Sequence, residues 1–286
     1  MEMKFFNKPT IYVGEVNINV TDIKRSLDFY RDFLGFKVLE QSEKEAVLTT
    51  DGKTPLLTLV QPANVEPKQA RTTGLYHFAI LLPTRADLAA LLQHIAQESG
   101  GNMRLGASDH YVSEALYFDD PDGNGIEIAI DRDSSKWEWQ GDKVSMATVA
   151  LDAQGLLADM KGPWQGMPEE TLMGHIHLHV ADIEASRDFY VNGIGMDIVT
   201  EMPSALFASH NGYHHHIGMN TWSGVGAPQP SVNSVGLNWF SLIFPNTKKR
   251  EEILEKLRGM DANITAVEND YFVEDPSGNT IRFNVG

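Results

Sequence analysis

The 286-residue chain contains no cysteine. Disulfides, thiolate zinc sites, cysteine-ligated iron–sulfur clusters and a cysteine nucleophile are thereby excluded, and any metal must be held by His, Asp or Glu. Long apolar runs are missing as well. Nothing approaches the roughly eighteen consecutive apolar residues that would span a bilayer, and the opening MEMKFFNKPTIYVGEV lacks the apolar core and small-residue cleavage site of a signal peptide. The chain reads as cytoplasmic. Positive charge is scarce, with 23 Lys and Arg against 39 Asp and Glu and a formal net charge of −16. Such a surface repels phosphate backbones and anionic membranes, which argues against nucleic-acid and membrane partners and for a small molecule.

What is present is a globular composition, 42% hydrophobic and 22% charged, long enough for two domains that each bury a core. It is also internally repeated. VTDIKRSLDFYRDFLGF, from Val20, recurs as VADIEASRDFYVNGIGM, from Val180, at a constant offset of 160 residues. GLYHFAILLP, from Gly74, resembles GLNWFSLIFP, from Gly236, and DPDGNGIEI, from Asp120, resembles DPSGNTIRF, from Asp275. Four related modules result, beginning near residues 11, 73, 172 and 235. Each opens on a short strand (GEVNINV, YHFAILL, GHIHLHV, NWFSLIF), with period-2 or continuous apolar patterning. In modules 1 and 3 an aspartate, Asp22 or Asp182, then stands where a helix N-terminus needs an acceptor. A helix follows, in module 1 with Ile23, Leu27, Tyr30, Phe33 and Leu34 on one face and Gly35 as its stop. Turn pairs such as Asp51-Gly52, Asp122-Gly123 and Asn211-Gly212 punctuate three further strands. The expected order is βαβββ four times, divided as residues 1–135 (modules 1 and 2), a linker with a short helix over 136–170, and residues 171–286 (modules 3 and 4).

Paired βαβββ modules carrying the DFY…LGF helix resemble the vicinal oxygen chelate superfamily, which includes glyoxalase I, fosfomycin resistance proteins, antibiotic-sequestering proteins and the type I extradiol ring-cleavage dioxygenases. The resemblance covers nearly the whole chain outside the linker. It implies a glyoxalase-like α+β fold in which pairs of modules curl mixed sheets into cup-shaped barrels, with metal ligands taken from first and last strands. By register with the Val20/Val180 column, the first strands offer Glu15, His77, His175 and Trp239, and the last strands of modules 2 and 4 offer Glu127 and Arg282. Only the meeting of modules 2 and 3 supplies a ligand-competent set: His77, Glu127 and His175. The middle modules are therefore expected to share one cup, and the outer two to form a second without metal.

A facial pair of imidazoles with one carboxylate suits Fe(II) and leaves neighbouring positions open for a bidentate substrate and dioxygen. Mn(II), Zn(II) and Ni(II) are the other candidates. Alone, each ligand is a weak signal. His77 beside Phe78 could be a core histidine satisfied by a carbonyl, whereas Glu127 between Ile126 and Ile128 would cost several kcal/mol if buried without a cation. Six of the ten histidines lie in GHIHLHV and YHHHIG. Same-face strand residues stand roughly 6.6 Å apart, so His175 or His177 would reach a given metal, with an H-x-H chelate as the other arrangement.

The type I extradiol pattern runs His, five to seven residues, an apolar residue, Tyr, two residues, an acid, Pro, any residue, Gly, two or three residues, Glu. It is matched by His110, Leu116-Tyr117, Asp120-Pro121, Gly123 and Glu127. The resemblance implies a catechol-type aromatic diol and O2 as substrates. His110 and Tyr117 would hydrogen-bond substrate oxygens, and His215, or its neighbour His216, would act as acid/base near neutral pH. Tyr117 as a core aromatic and His110 as a loop residue are the plainer alternatives. A glyoxalase-type lyase or isomerase and a metal-free binding protein are the rival functions, and members of this fold often associate, which leaves a homo-oligomer open.

Overall fold

The structure, a computed structural model, describes residues 2–101, 103–268 and 270–286. It is a mixed α+β fold of four βαβββ modules. Module 2 runs through strand Gly74–Leu81, helix Arg85–Glu98 and strands Gly106–Asp109, Ser113–Asp119 and Gly125–Asp131; module 3 begins on strand Leu172–His179 and ends on Ile217–Asn220. In each module the first strand pairs in parallel with the last, as Phe78↔Ile126 and Ile176↔Ile217 show. Parallel partners need a crossover, and the module helix supplies it.

Two curled sheets result. One has eight strands, all from modules 1 and 4. The other has nine: those of modules 2 and 3 plus Val149–Ala150, which extends the edge beside Gly106–Asp109. The first strands pair antiparallel at the centre of each sheet, Tyr12–Asn19 with Gly236–Phe244 and Gly74–Leu81 with Leu172–His179. Residues 136–170, expected as a linker, thus contribute a sheet strand, a small Trp139–Gln140/Lys143–Val144 hairpin and helix Ala153–Ala158. No helix among the described residues is long and apolar enough to cross a membrane.

One apolar core runs through both sheets. Val16, Ile18, Phe78, Ile80, Ile126, Ile128, Ile176 and Leu178 all belong to it. Strand periodicity sends their neighbours His77, Ala79, Glu127, His175 and His177 to the opposite, concave face of the nine-stranded sheet.

The repeated sequence motifs tie the modules together. The DFY helix of module 1 starts at Ile23 under an Asp22 cap that accepts from Lys24 N and Arg25 N, then widens into π-helical turns over Asp28–Phe33. Module 3 repeats this from Asp182 to Ile194. The fully buried Tyr30 and Tyr190 donate their hydroxyls, each at 3.0 Å, to Asp120 and Asp275 of the two DP-x-GN turns. Each of these aspartates also accepts the backbone N–H groups of its own turn.

Candidate active site

Three adjacent strands deliver the site. Glu127 and His175 both lie opposite Ala79, one on each neighbouring strand, and His77 lies two residues before Ala79 on the same face. The methyl of Ala79 leaves the space between them open. The pairing His177↔His77 is followed by Leu178↔Leu75, so Tyr76 is an extra residue in its strand. Such a bulge re-aims side chains; the Tyr76 ring sits within 5.2 Å of His77, His177, His179 and Trp222. Close strand approach requires Gly125, where a Cβ would meet Tyr76 O at 2.1 Å.

His77 Nε2 and His175 Nε2 stand 3.0 and 3.1 Å from the same oxygen, Glu127 Oε2, and the three side chains are buried. One ligand atom from each lies within 4.8 Å of the others. The His175 contact is a hydrogen bond, whereas His77 Nε2 lies off the hydrogen-bond direction and is a buried nitrogen without a partner. Burial alone would raise the Glu127 carboxyl, but His175 and then His77 hold it well below the usual carboxylate range. Burial lowers His77 despite that carboxylate. An ionised carboxylate, an unpartnered imidazole nitrogen and a second imidazole, all buried and converging, form a donor set that fits a divalent cation.

This trio opens onto a cavity of about 290 Å³ that His110, Tyr117, His177 and His215 also line. His110 Nδ1 donates to Ala147 O at 2.6 Å, so a neutral His110 accepts the Tyr117 hydroxyl on Nε2 at 2.7 Å. Burial, reinforced by the Glu127 charge, pushes the Tyr117 phenol well above its ordinary value and keeps it a donor.

The clustered histidines separate by partner. His177 lines the cavity but accepts from Asn220 Nδ2 at 2.9 Å, and burial holds it neutral, well below its ordinary value. The three histidines of YHHHIG precede strand Ile217–Asn220 rather than lying on it. His215 packs against His175 with ring centroids 4.0 Å apart. His214 meets Asp131 Oδ1 through Nε2 at 2.8 Å and His215 Nδ1 through Nδ1 at 2.9 Å. His216 points away from the cavity: its Nε2 donates to Phe5 O and its Nδ1 accepts from His210 N. Between the two neighbours proposed as acid/base, only His215 reaches the cavity.

Tyr76, Asn220 and Asp131 escaped the sequence reading. Asp131 carried a signal, since Glu127, Ala129 and Asp131 alternate along one strand face. Tyr76 carried none, because a bulge arises from pairing.

On the concave face of the eight-stranded sheet, Arg282 stacks on Trp239 at 5.2 Å and pairs with Asp270 at 2.6 Å, with Glu15 3.9 Å away. Glu15 also accepts from Thr58 Oγ1 at 2.6 Å. A guanidinium supplies the positive charge there.

The model of the Glyoxalase/Bleomycin resistance protein/Dioxygenase superfamily matches residues 12–128 and 172–283, and the chain belongs to that superfamily. A catechol-2,3-dioxygenase of Bacillus subtilis (strain 168) is 40% identical over 279 residues, 95% of this chain and 96% of that protein. Over this full length the chain is a catechol-2,3-dioxygenase-like enzyme. A biphenyl-2,3-diol 1,2-dioxygenase of Rhodococcus globerulus is 32% identical over 105 residues, 36% of this chain and 54% of the other. Glyoxalase I from Zea mays shares the fold, with a TM-score of 0.57 and 17% identity over 96% of this chain and 92% of that one.

Proposed function

We propose that this chain is a non-haem Fe(II)-dependent extradiol dioxygenase that cleaves a catechol-type aromatic diol with O2. The observation that carries the reading is the meeting, in one cavity, of the His77/Glu127/His175 set with His215 and the His110–Tyr117 pair. When bound by the trio, Fe(II) would supply positions for both diol oxygens and for dioxygen, and a route for electrons between them. The protein's own part is acid/base chemistry, positioning and exclusion of water. His215 is the imidazole placed to take a diol proton and return one to the product. With its hydrogen given to His110 Nε2, the Tyr117 oxygen would accept from a diol O–H. Val112, Met146, Phe207 and Trp222 offer apolar walls for the ring.

No lysine or arginine is among the described residues lining this cavity. A carboxylate-bearing catechol would bury its charge there unpaired, at several kcal/mol. We therefore expect kcat/KM for an uncharged catechol to exceed that for a carboxylated one by at least about tenfold.

The test is anaerobic reconstitution with Fe(II), then exposure to air with catechol and alkylcatechols, following the yellow ring-opened product. Absence of colour with every diol, together with Ni(II)-dependent turnover of a glutathione hemithioacetal, would replace this reading with an isomerase. Of the His, Asp and Glu residues described, three and no fourth compose the metal group, which favours the dioxygenase.

A further inference from the structure

The cavity-facing histidine is the near end of a hydrogen-bonded chain that runs back into the protein. His214 Nε2 lies 2.8 Å from Asp131 Oδ1, and His214 Nδ1 lies 2.9 Å from His215 Nδ1. Both His214 and Asp131 are almost wholly removed from solvent, with side-chain exposures of 2% and 8%. His214 is wedged between Tyr213 and Trp137, ring centroids 4.1 and 5.2 Å away, and has little freedom to turn. Asp131 sits on the same strand face as Glu127, so the strand that supplies the carboxylate ligand also anchors this chain.

Hydrogen-bond bookkeeping assigns the protons. An ionised carboxylate only accepts, so His214 carries hydrogen on Nε2. A neutral imidazole has one N–H, which leaves His214 Nδ1 bare. The hydrogen between the two Nδ1 atoms therefore belongs to His215. Its other nitrogen, Nε2, has no protein hydrogen-bond partner among the described residues, on a side chain that lines the cavity.

We propose that Asp131 and His214 are positioning residues that hold His215 in the tautomer protonated on Nδ1, presenting a bare Nε2 to the diol. A lone histidine could present either N–H or N to the cavity, and only the bare nitrogen accepts a proton from a hydroxyl. The logic is that of a buried carboxylate fixing a catalytic imidazole, extended here by one intervening histidine. The kinetic consequence rests on the diol-cleaving reading; the tautomer assignment does not.

The test uses the full-length chain, ¹⁵N-labelled and loaded with diamagnetic Zn(II), in two-bond ¹⁵N–¹H correlation spectra that distinguish the imidazole tautomers. His215 is assigned by the signals lost in His215→Gln. The expected result is the Nδ1–H pattern for His215 in the unmodified protein, and a change to Nε2–H or a mixture in His214→Phe. Asp131→Asn, which preserves shape, serves should His214→Phe fail to fold, and the same change is expected. An Nε2–H pattern in the unmodified protein, or one unaffected by either substitution, overturns the proposal. In parallel, Fe(II)-loaded Asp131→Asn and His214→Phe should keep their metal and hold KM within about threefold. Their kcat should fall about 10- to 100-fold, a fraction of the 10²- to 10⁴-fold typical of general acid–base groups. Unchanged kcat overturns the proposal; absence of turnover by the unmodified protein overturns the dioxygenase reading and leaves the tautomer result standing.

Discussion

Gly125 and His216 show how single residues near a site can matter through geometry alone. A Cβ at Gly125 would sit 2.1 Å from Tyr76 O and 3.2 Å from His77 Cβ. Gly125→Ala must therefore spread the strands that carry His77 and Glu127, and the expected outcome is at least about 2 kcal/mol of destabilisation, with weakened metal retention read by elemental analysis after gel filtration. Glu127→Ala and His175→Ala should each abolish metal retention without unfolding the chain, checked by circular dichroism. His216 is fully buried, and burial lowers it from 6.5 to about 3 although Phe5 O favours its charged form. In the unfolded chain it protonates below about 6.5, while in the fold it stays neutral until about 3. Its contribution is complete above 6.5 and is lost as pH falls, at up to about 1.4 kcal/mol per pH unit. Urea titrations between pH 7 and 4 should show a shallower decline for His216→Gln than for the unmodified chain. The His/Tyr/Glu spacing made three cavity-lining residues, His110, Tyr117 and Glu127, legible in the sequence. What could not be read was the direction of each side chain in YHHHIG, because the run turns irregularly before its strand and alternation does not apply.

Elements tell the same story at a larger scale. The four first strands, the DFY helices and the DP-x-GN turns could be recognised from periodicity, caps and repetition, and all of them form. The bulge at Tyr76 and the strand Val149–Ala150 could not, since both exist only through pairing with distant segments. The DP-x-GN turns receive the Tyr30 and Tyr190 hydroxyls and so fasten each DFY helix to the following module. Burial raises the Asp275 carboxyl although its turn and Tyr190 oppose that shift, so removing a donor leaves a poorly compensated buried acid. Tyr190→Phe should cost about 1–3 kcal/mol in denaturant-induced unfolding. Because Tyr190 lies in the core rather than at the cavity, kcat should change little at temperatures where the variant is folded.

For the molecule as a whole, sequence neighbours are not sheet neighbours. Modules 1 and 4 share one sheet and modules 2 and 3 the other, so His77 and Glu127 come from one half of the duplicated chain and His175 from the other. Fragments 1–135 and 171–286, produced separately, should each fail to retain metal, and mixing them should restore retention; retention by either fragment alone would contradict the shared site.

The crossed arrangement has a further consequence. Two copies of a two-module chain, each lending its second module to the other's first, would build this architecture as an exchanged dimer with two equivalent cups. The present chain holds the same arrangement of modules within one polypeptide. Within one polypeptide the two cups need not be identical: His77, Glu127 and His175 stand in one, and Trp239, Arg282 and Glu15 stand in the matching places of the other. A symmetric assembly must furnish both cups or neither, and this chain furnishes one.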